Sequence, residues 1–384
     1  MTGFQGKYGI VLLMVVLLVL LILSCARRKE MYPSLDKIIT NAWKGYKILF
    51  INENGRVIRP SNNYDTVSEG QAYAMLMAVW MDDRETFERI YKWAEGHLSR
   101  KERFGDNLLA WHWDVKKGIL DWNSASDADQ DYALALILAY ENWGNRDYFE
   151  KAKSVLNDIL RLETAVASDK MRYLLPGTWG DINGTYVINP SYFSPAWYKI
   201  FFRLTKDSRW IELVETSYHT ILKVSKKLAN RNGVGLVPDW CAINEYGEFI
   251  EVKELSSLFG WDAIRISWRI GIDFLWFRED RAKQYLKTLY QFYTKEWERH
   301  GEKFFAQYSY DGSPVEKYES VAAYAMSLGC FSAMESSKTN SILDKIRAAY
   351  KADGYFDDKN DYYLNSLTLL GLMLIKEPSF GVEE

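Results

Sequence analysis

The sequence predicts an all-α protein, a closed toroid of six helical hairpins. Three observations lead there. Apolar residues recur at helical spacing through about twelve segments. Connections as short as Asp82-Asp83 and Gly144-Asn145 fold neighbouring segments back on one another. The segments share no fixed period of the kind a stacked solenoid shows. Candidate helices cover residues 34–49, 68–82, 84–98, 129–143, 147–161, 192–204, 209–228, 262–275, 280–297, 317–334, 340–352 and 362–376. An inner helix of such a ring should be apolar and small on most faces, as Ala133 to Tyr140 is. An outer helix should carry a charged face, as Lys151, Lys153, Asp158 and Arg161 do on the next segment.

Ahead of the helices, Lys7 precedes an apolar run from Ile10 to Leu23, short for a bilayer-spanning helix and the right length for a signal-peptide core. The run closes on Leu21-Ile22-Leu23-Ser24-Cys25, which resembles a bacterial lipobox whose Cys25 is lipidated after cleavage. A single-pass anchor is the competing reading. Against it, the basic cluster Ala26-Arg27-Arg28-Lys29 sits on the side that an anchor would have to export. The expected division is therefore 1–25 signal peptide, 26–33 short linker and 34–379 a single domain, since no Pro-rich, Gly/Ser-rich or charge-block linker follows Met31. The expected protein is an exported monomer, lipid-anchored at a bacterial cell envelope or secreted, touching membrane only through this segment.

Composition excludes several classes. A net charge of -3 leaves no basic surplus to neutralise a phosphate backbone, so nucleic acid is not an expected partner. His97, His112, His219 and His300 are scattered without metal-ligand spacing, and neither a metal nor a cofactor is expected. Beyond Cys25 only Cys241 and Cys330 remain, enough for one bridge at most. Aromatic residues reach 15% of the chain, which suits a groove where sugar rings lie on flat apolar faces, although most such rings in any chain fill the core.

Three long stretches without periodicity, 104–128, 171–191 and 233–261, mark functional loops. They hold Trp111, His112, Trp113, Trp122, Trp179, Tyr186 and Trp240 beside Asp114, Asp121, Asp181 and Asp239, the mixture of flat rings and carboxylates a carbohydrate cleft needs. Trp111, Trp113 and Trp122 are candidate stacking platforms, with loop packing as the plainer alternative.

Three acids stand at helix starts. Ser68-Glu69-Gly70-Gln71 places a glycine directly after Glu69, leaving one side of the carboxyl open to a ligand, although a first-turn acid also simply stabilises the helix dipole. Asn123-Ser124-Ala125-Ser126-Asp127-Ala128-Asp129-Gln130 offers two aspartates, more than one helix cap requires. In Phe259-Gly260-Trp261-Asp262-Ala263-Ile264-Arg265, Arg265 lies one turn beyond Asp262 and favours its ionised form. No basic residue lies between Arg59 and Arg84, so Glu69 is expected to keep its proton while Asp262 loses one.

Taken in order, Ser68-Glu69-Gly70-Gln71, Ala125-Ser126-Asp127-Ala128-Asp129 running on to Trp143, Asn189-Pro190-Ser191-Tyr192, Trp261-Asp262-Ala263-Ile264-Arg265 and Tyr362-Tyr363-Leu364-Asn365-Ser366-Leu367-Thr368-Leu369-Leu370-Gly371 resemble the motifs of glycoside hydrolase family 8, the cellulase D family. Tyr132 departs from the Ile or Met usual at its position. The resemblance implies an (α/α)6 barrel and a metal-free, inverting β-1,4-glycanase, here read as an endo-β-1,4-glucanase acting on β-glucan. Xylan, xylo-oligosaccharide and chitosan are alternative substrates within the family, and a non-catalytic surface glycan-binding lipoprotein is the alternative of a different class. By position, the resemblance makes Glu69 the proton donor, Asp262 the base that activates water and Asp127 the acid that holds the sugar at the cleavage point. Tyr192 and Arg265 are expected in the cleft, the first bonding near the reactive water and the second orienting Asp262.

Overall fold

The structure, a computed structural model of the chain, describes residues 32–376. The export segment and Cys25 lie outside the described residues. Twelve long helices run in order: α1 (Leu35–Phe50), α2 (Ser68–Trp80), α3 (Arg84–His97), α4 (Ser126–Trp143), α5 (Arg146–Leu162), α6 (Pro195–Thr205), α7 (Arg209–Val224), α8 (Arg265–Phe277), α9 (Asp280–Arg299), α10 (Val321–Ala333), α11 (Thr339–Ala349) and α12 (Tyr362–Lys376). The even-numbered helices form an inner ring, each packed on the odd-numbered helix that follows it, and α1 packs outside α12. The ring thus closes by joining the first and last of these helices.

Sequence explains the layering. Ala72 to Val79 of α2, Ala128 to Ala139 of α4 and Val321 to Phe331 of α10 are buried on every face, whereas α3, α5 and α9 bury one stripe and expose Lys, Glu and Arg elsewhere. Small residues let the inner helices approach closely. A Cβ built on Gly271 of α8 would stand 2.6 Å from the Cα of Gly329 on α10. Polar side chains also cross the ring, with Asp131 of α4 accepting from Trp197 Nε1 of α6 at 2.8 Å and from both terminal nitrogens of Arg269 on α8. These buried groups pair with one another, which offsets part of the cost of taking their charges out of water.

The expected helices are all present, with several starts displaced. α6 begins at Pro195 rather than 192 because proline is suited to the first helical position, where its missing N–H costs nothing. α4 begins at Ser126, which places Asp127 and Asp129 inside its first turn, while α8 begins at Arg265 and leaves Asp262 in the preceding turn. α10 begins at Val321, after a short strand at Pro314–Glu316.

All three long loops carry short strands that periodicity did not reveal, since two to four residues are too few for alternation to show. β1 (Thr66–Val67), β2 (His112–Asp114) and β3 (Gly118–Asp121) form one antiparallel sheet. β4 (Asp181–Ile182), β5 (Thr185–Ile188), β6 (Cys241–Ile243) and β7 (Phe249–Ile250) form another in the order β7-β6-β5-β4. Both lie in segments leading into the N-terminal ends of inner helices. Cys241 on β6 and Cys330 on α10 are separate buried thiols, unpaired with each other.

Candidate active site

The N-terminal ends of α2, α4, α8 and α12 converge on one guanidinium. Arg265, 1% exposed, donates from Nη1 to Glu69 Oε2 at 2.9 Å, to Asp127 Oδ2 at 2.9 Å and to Tyr73 Oη at 3.1 Å. From Nη2 it donates to Asp262 Oδ1 at 2.7 Å and Ser191 Oγ at 3.0 Å, and from Nε to the Asp262 carbonyl at 3.3 Å. A planar fork of donors is what allows one cation to fix three carboxyls in a set geometry.

The Asn189-Pro190-Ser191-Tyr192 segment explains itself around the same group. Ser191 accepts from Arg265 and donates its hydroxyl to Asn189 Oδ1 at 2.8 Å, while the Tyr192 ring lies 5.1 Å from the guanidinium carbon. Arg265 was expected to orient Asp262 and to meet substrate in the cleft. The first role fits the contacts; the second does not, because its donors are spent on protein acceptors and almost none of its surface is open.

Capping does not account for the acids. The N-cap positions of α2 and α4 are Val67 and Ala125, neither with a side-chain bond, and Asp129 instead accepts from the Leu109 amide at 3.0 Å. The turn before α8 is capped by another residue, Asp239. Gly70 also has a different use from the one expected. A Cβ there would meet Tyr362 Oη at 3.1 Å, so the glycine makes room for a protein tyrosine rather than a ligand. That tyrosine donates to Glu69 Oε1 at 3.2 Å.

The expected contrast between an acid without a cation and a base beside one does not hold, since Arg265 touches both. Glu69 is nevertheless pushed up to about 7, chiefly because burial disfavours its ionised form. The Arg265 charge opposes this, and the nearby Asp127 and Asp262 charges reinforce it. Asp127 is likewise raised, by burial first and against the pull of Arg265. Side-chain exposure separates their uses: Asp262 keeps 30% and Glu69 19%, whereas Asp127 keeps 2%. Only Glu69 and Asp262 open substantially to an incoming molecule. Because the Tyr362 hydroxyl favours ionised Glu69, Tyr362→Phe should raise the Glu69 pKa by up to about one unit, checked by carbon NMR titration of the labelled carboxyl. An unchanged or lowered value would remove Tyr362 from the network.

Around the acids, a cavity of about 210 Å3 lies on the Tyr362 side of Glu69, lined also by Arg59, Ser61, Asn62, Asn360, Asp361 and Tyr363. Near Tyr192 the rings of Tyr192, Trp240 and Trp179 follow one another at centroid separations of 5.8 Å each. Sequence reasoning noted Trp179 and Trp240 only as members of aromatic loops.

The three tryptophans singled out as platforms divide. Trp111 is half-buried, stacks on His112 at 4.7 Å, and its carbonyl takes the Ser68 amide beside Glu69. Trp113 packs the first sheet onto α3, with Trp93 at 5.2 Å, His97 at 5.9 Å and the Arg56 guanidinium over its ring, contacts that fit the loop-packing alternative. Trp122 carries Arg103 over its ring at 4.7 Å and meets Phe104 edge-on at 6.0 Å.

Tyr73, Tyr362 and Asp239 were missed as site residues. Tyr73 stands four residues after Glu69 on the same helix face, a spacing that could have revealed it; the other two reach the site only through the fold.

Comparison with known proteins identifies the family of this fold. The family model described as Glycosyl hydrolases family 8 matches residues 29–377. Endoglucanase A of Acetivibrio thermocellus is 33% identical over 353 residues, covering 87% of this chain and 68% of that protein. The chain spans 55% of the length of two further curated endoglucanases. Among solved structures, an endo-1,4-D-glucanase from Vibrio fischeri ES114 superposes with a TM-score of 0.73 at 27% identity, covering 88% of this chain and 94% of that one. A Paenibacillus sp. X4 β-1,3-1,4-glucanase, 22% identical, shares the fold with a TM-score of 0.77 over 91% of this chain and 95% of its own.

Proposed function

The chain belongs to glycosyl hydrolases family 8 and is a glycoside hydrolase, and on that premise we propose that it is an endo-acting, inverting β-1,4-glucanase with Glu69 as general acid and Asp262 as general base. The observation that carries this reading is the shared guanidinium: two partly open carboxyls are held on it, one of them, Glu69, pushed up to about 7.

In the reaction, Glu69 gives its proton to the glycosidic oxygen as the bond from that oxygen to the anomeric carbon breaks. Water attacks the same carbon from the opposite face and passes a proton to Asp262. Asp262 then releases its proton to solvent and Glu69 recovers one, which restores both groups. The Glu69 and Asp262 oxygens are no further apart than two hydrogen bonds and the width of a guanidinium, on the order of 8 Å, which admits the roughly 6.5 to 9.5 Å that an inverting pair needs for its water. Asp127, almost closed to solvent and ion-paired, holds the guanidinium in place rather than exchanging protons, so the direct hold on the sugar expected of it gives way to one through Arg265. Tyr192, Trp240 and Trp179 offer flat faces for sugar rings.

Inversion is checked by NMR of fresh hydrolysis products from a soluble β-1,4-glucan, where the new reducing end should first appear as the α-anomer. A β-anomer would assign a retaining mechanism and remove Asp262 as base; no cleavage of any β-1,4-glucan would end the glucanase reading.

A further inference from the structure

We propose that Asp239 is a positioning residue that holds the Asp262 carboxylate in line with the reacting water by capping the 260–263 turn. The proposal rests on Asp262 being the base.

The turn that presents Asp262 lies ahead of α8, which begins at Arg265, and it closes through the Ile264 N–H on the Gly260 carbonyl at 3.1 Å and the Arg265 N–H on the Asp262 carbonyl at 3.2 Å. Its earlier amides point at a single side-chain oxygen. Asp239 Oδ1 accepts from the N–H groups of Gly260 at 3.2 Å, Asp262 at 3.1 Å and Ala263 at 2.8 Å. The other oxygen accepts from Ser256 Oγ at 2.8 Å. Asp239 lies 23 residues earlier in sequence, in the loop entering β6, and is only 5% exposed. It therefore cannot serve as a solvated surface acid, and its carboxylate is spent on the backbone that carries the base.

Two further observations agree. The Asp239 amide donates to the Leu258 carbonyl and the Trp240 amide to the Ser256 carbonyl, so the two segments are laced together on either side of the carboxylate. At Gly260, a Cβ would fall 2.5 Å from Asp239 Oδ2, so glycine is what permits the carboxylate to sit against the turn. Burial, helped by the neighbouring Asp262 charge, pushes Asp239 up to about 6 against the pull of the Ala263 and Gly260 amides and Ser256. The fold retains this buried acid despite that cost because its oxygen meets three donors that would otherwise be unpartnered at the start of an inner helix.

Displacing a catalytic group by about 1 Å costs roughly 100-fold in rate. The test measures kcat and KM on a soluble β-1,4-glucan with the full chain. Asp262→Asn comes first: an active variant would overturn the base reading and this proposal together. With that variant inactive, Asp239→Ala should lose about 100-fold in kcat at nearly unchanged KM, and Asp239→Asn, which keeps an acceptor oxygen, should recover much of it. Wild-type kcat in Asp239→Ala, or Ala and Asn variants that fall equally with KM rising in step, overturns the proposal while leaving the base intact. If Asp239→Ala does not fold, Gly260→Ala displaces the same carboxylate from the other side and should lower kcat with KM preserved; an undiminished kcat there overturns the proposal as well.

Discussion

Glu69→Gln should lower kcat on β-1,4-glucan by about 100- to 10,000-fold, the range a positioned general acid supplies. The size follows from the leaving group. A sugar hydroxyl departs poorly as an alkoxide, and Glu69 is the only member of the cluster whose carboxyl is both partly open and raised to about 7. An aryl glycoside with an acidic phenol needs no such proton, so the variant should lose far less on that substrate. The pH profile gives a second signature. Wild-type activity should fall as pH rises through about 7, where Glu69 loses its proton, and that alkaline limb should vanish in the glutamine variant. Stability moves in the same sense. The folded pKa lies above the unfolded value of about 4.5, so between those values the native state binds more protons than the unfolded chain, and this group's contribution to stability declines as pH rises through the window. Glutamine carries no such penalty, and the variant should melt no lower than wild type at pH 8. A poorly active variant that also melts early, or one equally active on natural and aryl substrates, would contradict the assignment.

The helical ring was legible because its signal is repeated: each inner segment is apolar all round, each outer one carries charge on one face, and short turns leave no other way to pack them. The acids at helix starts were visible for a similar reason, since each stands in a short segment with a capping vocabulary it does not need. Partnership across the ring was not visible. Arg265 was read as a neighbour of Asp262 because three residues separate them, yet it also touches Glu69 and Asp127, 196 and 138 positions away. No local pattern encodes such a contact; it exists only once the ring has closed. Tyr362 and Gly70 teach the same lesson, as 293 residues lie between Tyr362 and the carboxyl it touches. The tryptophans went partly astray because aromatic content marks cores and sugar clefts alike, and only the packing of Trp113 against α3 tells them apart.

Arg265→Met should be the most damaging single change to the folded protein. The substitution keeps much of the side-chain bulk and removes the one cation that three carboxyls share, with Arg265 itself 1% exposed and Asp127 2%. Breaking a buried pair by deleting one partner costs about 3 to 5 kcal/mol, because the remaining charge is left buried without compensation. Here the relief is protonation. Arg265 lowers the pKa of both Glu69 and Asp127, so its loss should let each hold a proton to higher pH. The linkage sign follows: with both folded values raised further above the unfolded ones, the variant should be least unstable in acid and lose stability steeply toward neutrality. Thermal melts at pH 5 and pH 8 check this, and a deficit relative to wild type that is the same at both would refute it. Arg265→Lys separates charge from geometry. An ammonium restores a positive charge but not the planar fork that reaches Glu69 and Asp127 through one nitrogen and Asp262 through the other. The lysine variant should therefore recover most of the stability and little of the activity. Full activity in Arg265→Lys would mean that charge alone, rather than the fixed spacing of the carboxyls, sustains the reaction.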